Sequence, residues 1–230
     1  MPVEIDLWLW ALDPPPDLAA RLAKRLAPEE QARAARFVHP RHGSRFSAAR
    51  GRMREILAGY VGGAPEALRF HYNPQGKPGL EAGPAFNLSH AGGWAALAVT
   101  QAQVALGIDI EAVRQVDPAV ADRFFSPDER AELSRFAPGD WATGFFRCWT
   151  RKEAVVKACG PGLSMPLDSF DVTLGETAAV RRIDGGAAED WALLPLTLGP
   201  GLFGAVAVEN HRRPVRLRWC EGRRPVAPLG

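Results

Sequence analysis

An α+β fold arranged as two lobes is what this 230-residue sequence predicts, on three observations. Helical and strand-like segments alternate irregularly in both halves, without the regular β-α-β-α run of a doubly wound sheet. Apolar residues make up 47% and charged residues 23%, the proportions of a chain that buries a substantial core. At roughly 100–200 residues per domain the length suits one large domain or two small ones. The second half repeats the texture of the first, each mixing helices with short strands, which divides the chain as 1–104 and 105–230.

Val3 to Leu12 alternates and is rich in Trp and Leu, which predicts a strand stopped by Asp13-Pro14-Pro15-Pro16. Residues 17–36 read as helical, with Pro28 interrupting or starting a second helix. Over 44–60, Phe46, Ala49, Met53, Ile56, Leu57 and Tyr60 recur at helical spacing, and Gly62-Gly63-Ala64-Pro65 ends the run. Leu68 to Tyr72 reads as a short strand, and 73–79 as a turn-rich loop. Strands follow at Phe86–Ser89, Trp94–Thr100 and Ala105–Ile110. Helices are expected over 117–124, 127–136 and 140–159, the last stopped by Gly160-Pro161-Gly162. Strands are expected over 170–174, 191–196, 203–208 and 215–219, before a frayed tail from Arg223 to Gly230. No sequence repeat relates the halves.

Composition excludes several classes. No stretch approaches the ~20 apolar residues that span a bilayer. The start, MPVEIDLWLWALDPPP, lacks a basic n-region and a small-residue cleavage site, which predicts a cytoplasmic protein. Cys148, Cys159 and Cys220 form neither a disulfide framework nor a zinc pattern. Net charge is only +2, yet residues 21–54 hold ten Lys/Arg against Glu29 and Glu30, a local +8. Such a field attracts phosphates, nucleic acid or an acidic protein, unless it is simply a solvated helix face.

Three segments carry candidate chemistry. In Gly107-Ile108-Asp109-Ile110-Glu111 the two acids share one face of a strand. Side by side they repel, and a hard cation such as Mg²⁺, which takes one or two carboxylates plus phosphate oxygens, would relieve this. The same pattern fits a solvent-facing strand edge. In the helix over 140–159, Phe145, Phe146, Trp149, Glu153 and Val156 form one stripe, apolar except for Glu153. A glutamate there is unfavourable unless paired or bound to metal; an i,i+4 pair with Lys157 is the plainer reading. In Asn87-Leu88-Ser89-His90-Ala91-Gly92-Gly93, Ser89 and His90 can bond phosphate oxygens, or be a capping serine and a satisfied histidine. A Ser–His hydrolase is disfavoured, because neighbours on a strand point oppositely and no Gly-x-Ser-x-Gly elbow exists. The turn Gly76-Lys77-Pro78 reads alone as a surface turn. No P-loop or dinucleotide glycine fingerprint is present.

The order of these motifs is more specific than any one of them. A basic N-terminal region, Gly-Lys-Pro, Asn-x-Ser-His, Gly-Ile-Asp-x-Glu and Trp-x-x-Lys-Glu-Ala-x-x-Lys follow one another over residues 30–170. The chain thereby resembles the 4′-phosphopantetheinyl transferase superfamily, in particular its monomeric surfactin-synthetase-activating type. Phe124-Phe125-Ser126 and Gly162-Leu163-Ser164 add to the likeness. The resemblance implies two similar α+β lobes in pseudo-twofold relation. It implies Mg²⁺ (Mn²⁺ possible) on Asp109, Glu111 and Glu153, with Glu153 and Lys157 catalytic and Lys152 preceding the acid. It implies coenzyme A as co-substrate, with Ser89 and His90 at its phosphates and Gly76, Lys77 and Pro78 beside its adenine and 3′-phosphate. Arg41 and Arg45 are the best candidates for extra phosphate contacts. Glu30 and Arg33 stand where the surfactin type often has lysine, so the 3′-phosphate cradle stays open among Arg33, Arg36, Arg41 and Arg45. The implied partner is an apo acyl- or peptidyl-carrier protein, with no nucleic acid and no membrane. A non-catalytic module that binds coenzyme A or a carrier is the alternative.

Overall fold

The computed structural model describes residues 1–160 and 165–220. The motif Gly162-Leu163-Ser164 and the tail from Arg223 lie outside the described residues. Prolines punctuate the helices. Helices α1 (Pro16–Ala23), α2 (Pro28–Ala35), α3 (Pro40–Val61) and α5 (Pro127–Leu133) each begin on one. There the missing N–H has no helical partner to lose, and φ is already set for the helix. So Pro28 separates two helices within 17–36, and α3 starts at Pro40, ahead of the expected residue 44. Helix α4 (Ala119–Phe124) is short, and α6 (Trp141–Cys159) ends at Gly160.

Two sheets carry these helices. Strands β1 (Val3–Ala11), β4 (Ala85–Ala91), β5 (Trp94–Thr100) and β11 (Val215–Trp219) form the first, in the order β11-β1-β5-β4. Strands β6 (Leu106–Ala112), β9 (Trp191–Thr197) and β10 (Leu202–Glu209) form the second, in the order β6-β10-β9, antiparallel throughout. One strand departs from the division by chain order. β11 comes from the second half but pairs in parallel with β1 at the edge of the first sheet. Its alternation of Val215, Leu217 and Trp219 with Arg216 and Arg218 suits a half-buried edge.

Two short hairpins complete the fold. Strand β2 (Phe70–Tyr72) pairs with β3 (Pro78–Leu80), and β7 (Phe170–Val172) with β8 (Val180–Ile183). Neither β3 nor β8 is legible in the sequence. The first starts on a proline beside a turn, and the second, Val-Arg-Arg-Ile, has no alternating apolar face.

The sheets share a core: Val3, Ile5, Leu7 and Ala96 of the first meet Ile108, Ile110, Val206 and Val208 of the second. Helix α3 covers the first sheet with Met53 and Leu57 against Phe86, Leu97 and Val99. Helix α6 covers the second with Phe146, Val155 and Ala158 against Ala205 and Ala207. Beside the shared core, β4 meets β6. Asn87 Oδ1 accepts from the Ile108 N–H at 2.8 Å, and Ser89 Oγ from the Ile110 N–H at 3.2 Å. The i,i+2 spacing of Asn-x-Ser puts both side chains on one face of β4, where they serve the free edge of β6.

Candidate active site

Helix α6 lies against β6 at very short range. A methyl group on Gly107 would sit 2.0 Å from the carbonyl oxygen of Ala154. This approach carries the acids and the lysine of two elements to one place. Asp109 is 4% exposed, so it is no solvent-facing strand edge. Its Oδ1 accepts from Lys157 Nζ at 2.6 Å and from Ser89 Oγ at 2.9 Å. Its Oδ2 is buried with no hydrogen-bond partner among the described residues. Lys157 therefore pairs with the strand acid; the Glu153–Lys157 pair that the helix spacing allowed is not what forms.

Glu153, one turn earlier, is partly buried. Burial raises its carboxyl above the usual range; Asp109 and Glu111 push it further, and Lys157 opposes them. Asp109 is likewise raised by burial, with Lys157 and Ser89 opposing and Glu111 adding to the rise. The acids thus repel each other across the gap between strand and helix. Glu111 is drawn aside by Arg114, 2.7 Å away. Among the described residues, no three His, Cys, Asp or Glu side chains stand at ligand distance from one point. The expected three-acid set is brought within electrostatic reach but is not closed, as mutual repulsion and pairing with Lys157 and Arg114 dictate. The donor set nevertheless fits a hard divalent cation. Asp109 Oδ2 is orphaned, burial raises the carboxyls of both Asp109 and Glu153 above the usual range, which a cation between them would offset, and phosphate oxygens would complete the shell.

A cleft of about 790 Å³ lies between α2, α3 and the β4–β5 turn; Asp109, Glu111, Glu153 and Lys157 do not line it, and it is joined to them through His90, the chain neighbour of Ser89. Arg33, His42, Arg45, Phe46, Arg50, Tyr72, Gly76, Pro78, His90, Gly92 and Gly93 line it. The Gly92-Gly93 turn, with φ of +58° and +83°, needs residues without a side chain. It lets the backbone face the cleft, with Arg45 alongside. Ser89 and His90 part company as strand neighbours must: Ser89 is buried against Asp109 and His90 is exposed on the cleft. Ser89 is accordingly a link between β4, Asp109 and Lys157 (Nζ to Oγ 3.2 Å).

The arginine cradle resolves in part. Arg33 and Arg45 line the cleft, Arg33 over the Phe46 ring at 5.1 Å. Arg36 donates to the Ala32 carbonyl. Arg41 and Arg45 both hold Asp13, at 2.9 and 2.6 Å, and their hydrogen bonds keep the Asp13 carboxyl well below its ordinary value. Sequence reasoning passed over Arg50, which reaches into the cleft from α3, bonded to Glu30 at 2.7 Å and Tyr72 Oη at 2.6 Å. It also passed over Asp13, which no local pattern marks.

The Lys77 side chain turns away from the cleft that its two neighbours border. Gly76 and Pro78 line the cleft, but the Lys77 ammonium bonds the carbonyls of Leu106, Lys157 and Ala158 at 2.9, 2.6 and 3.4 Å.

A buried ion pair seats α6. Lys152 and Glu129 are both fully buried, 2.6 Å apart, and Lys152 also donates to the Phe170 carbonyl at 2.7 Å. Glu129 accepts from the N–H groups of Ser126 and Val172, at 2.9 and 2.8 Å. Ser126-x-x-Glu129 is a capping box, readable from its S-x-x-E spacing but not used above.

The family model of the 4′-phosphopantetheinyl transferase superfamily matches residues 105–208, the stretch from β6 through β10. The 4′-phosphopantetheinyl transferase HetI of Nostoc sp. is 39% identical over 213 residues, covering 89% of this chain and 87% of that one. A 4′-phosphopantetheinyl transferase of Bacillus subtilis is 34% identical over 162 residues, covering 70% of this chain and 71% of its own. The 4′-phosphopantetheinyl transferase Sfp of Bacillus subtilis strain 168 is 31% identical over 162 residues, with the same 70% and 71% coverage.

Proposed function

The chain belongs to the 4′-phosphopantetheinyl transferase superfamily and is an enzyme of that family, and we propose that it moves the 4′-phosphopantetheine arm of coenzyme A onto a serine hydroxyl of an apo acyl- or peptidyl-carrier protein. The other product is 3′,5′-ADP. The likeness to Sfp agrees with the surfactin-synthetase-activating type. We further propose that two similar lobes, 1–104 and 105–230 with β11 lent back to the first, stand in pseudo-twofold relation and work as a cytoplasmic monomer. Among the described residues no helix is long and apolar enough to cross a membrane.

The observation that carries the reading is the meeting of Asp109, Glu153 and Lys157 beside a cleft lined by arginines. Asp109, Glu111 and Glu153 would hold Mg²⁺ or Mn²⁺. Such an ion, when bound, neutralises charge on pyrophosphate oxygens and on the leaving group. Glu153 accepts the proton of the carrier serine, directly or through one water. The freed serine oxygen attacks the phosphorus nearer pantetheine, and the bond from that phosphorus to the bridging oxygen of 3′,5′-ADP breaks. Lys157, held between Asp109 and Ser89, would stabilise charge on the bridging side. Arg33, Arg45, Arg50 and His90 offer positive or hydrogen-bonding groups to the remaining phosphates along the cleft.

Incubation with coenzyme A, Mg²⁺ and an apo-carrier, followed by mass measurement of the carrier, tests the proposal. A gain of one phosphopantetheine arm is expected, and none with Glu153→Gln. Retained coenzyme A binding without any gain on acyl- and peptidyl-carriers alike would favour the non-catalytic binder.

A further inference from the structure

The Lys77 ammonium has three protons and meets three backbone carbonyls, those of Leu106 at the start of β6 and of Lys157 and Ala158 in the last turn of α6. Those helix carbonyls are among the last four, which have no partner within the helix. A cation there also faces the negative end of the helix dipole. The same loop reaches the helix a second time: Asn73 Nδ2 donates to the Gly160 carbonyl at 2.8 Å. Asn73 Oδ1 in turn accepts from the N–H of Lys77 at 2.8 Å and of Gln75 at 3.1 Å, so the loop is folded around the residue that caps. The residues on either side of Lys77, Gly76 and Pro78, face the cleft. One loop therefore borders the proposed coenzyme A site with its backbone and grips the catalytic helix with its ammonium.

We infer that Lys77 is a positioning residue: its ammonium fastens the end of α6 to the start of β6 and so sets where Lys157 and Glu153 stand relative to Asp109. The backbone carbonyl it holds at 2.6 Å is that of Lys157, whose own side chain bonds Asp109 at 2.6 Å. This differs from the adenine or 3′-phosphate contact that the motif's family resemblance implies, because an ammonium satisfied by three carbonyls has no donor left for a phosphate. Burial draws the Lys77 amine down to about 8, consistent with a site away from bulk water. The inference rests on the phosphopantetheinyl-transfer reading only for its kinetic test.

Two variants are compared with the wild type, each with coenzyme A and with dephospho-coenzyme A, which lacks the 3′-phosphate. Lys77→Met keeps the length of the stem and removes all three donors. Its kcat should fall about tenfold or more, the scale of a misplaced reacting group. Its KM for coenzyme A should stay within about twofold, and its preference for coenzyme A over dephospho-coenzyme A should be that of the wild type. Lys77→Arg keeps the charge, but its planar fork cannot seat on three converging carbonyls. It should also lose kcat at unchanged KM. A raised KM in Lys77→Met, with the preference for coenzyme A lost and then restored in Lys77→Arg, would overturn the inference in favour of a phosphate contact. Unchanged kcat in both variants would overturn it as well. Amide exchange of Ala158 to Gly160 gives a readout independent of activity. Protection should fall about tenfold in Lys77→Met, and unchanged protection contradicts the inference. A wild type that transfers nothing refutes the functional reading, while the exchange result still decides the role of Lys77.

Discussion

Gly107→Ala tests whether the close seating of α6 on β6 is what assembles the site. The added Cβ would lie 2.0 Å from the Ala154 carbonyl oxygen, 2.4 Å from the Ala158 nitrogen and 3.0 Å from the Ala158 Cα. All three are helix backbone, so no flexible side chain can yield. Ordinary contact begins at 3.4 Å, so strand and helix must separate by about 1 Å or more. Overpacking of this kind costs about 3 kcal/mol, at the upper end for core insertions. In a chain of this size that lowers the midpoint of thermal unfolding by roughly 6–12 °C. The same displacement moves Glu153 and Lys157 away from Asp109, and a shift of about 1 Å costs about a hundredfold in rate. Calorimetry gives the first number, and carrier loading followed by mass spectrometry well below the midpoint gives the second. A Gly107→Ala protein with the wild-type midpoint and turnover would refute the reasoning, because the helix would then have room that the structure denies it.

Lys152→Met should destabilise by about 3–5 kcal/mol in urea unfolding, since it strands Glu129 as a buried, unpaired charge; adding Glu129→Gln, which removes the charge and keeps an acceptor for the Ser126 and Val172 N–H groups, should recover part of the loss, and a double variant no better than the single one contradicts the account. Glu30 gives a pH signature. Burial pushes its carboxyl up, but the bond from Arg54 and the charge of Arg50 outweigh this and leave it below the ordinary value. Stability from this group is therefore present above about pH 4.3, the unfolded value, and is lost as pH falls through the lower folded value. Glu30→Gln should flatten the acid limb of the stability curve, and an unchanged limb contradicts the assignment. Raising salt from about 0.05 to 0.5 M should increase the KM for coenzyme A, because Arg33, Arg45 and Arg50 would hold its phosphates on a cleft open to ions; a salt-independent KM counts against the arginine cradle.

Much of the fold was legible because burial imposes periodicity. The stripe of α3, the alternation of β1 and the apolar runs of β5 and β10 each report a face set against a core. What escaped has physical reasons too. β3 and β8 are three and four residues long and make short hairpins outside the main sheets, so nothing in their sequence marks a buried face. The parallel partnership of β11 with β1 joins residues more than two hundred apart, which local pattern cannot encode. At the site, Glu153 stood out as a charge in an apolar stripe, Asp109 as one of two carboxylates on one strand face, and Lys157 by its i,i+4 spacing from Glu153. The pairing among them did not: helix spacing offers Lys157 to Glu153, and only the approach at Gly107 delivers it to Asp109. Lys77 shows the same limit. Its motif was visible, but the direction of its side chain depends on where the end of α6 lies.

The central claim is that a strand acid and a helix acid, separate in sequence, serve one divalent ion. Mn²⁺ titration followed by electron paramagnetic resonance, in the presence of coenzyme A, measures this most directly on the wild type, Asp109→Asn and Glu153→Gln. The account predicts one tight ion per wild-type chain and affinity about tenfold weaker or worse in both variants, the scale for losing a charged ligand. If either variant binds Mn²⁺ as tightly as the wild type, the two acids do not share an ion and the proposed site is wrong.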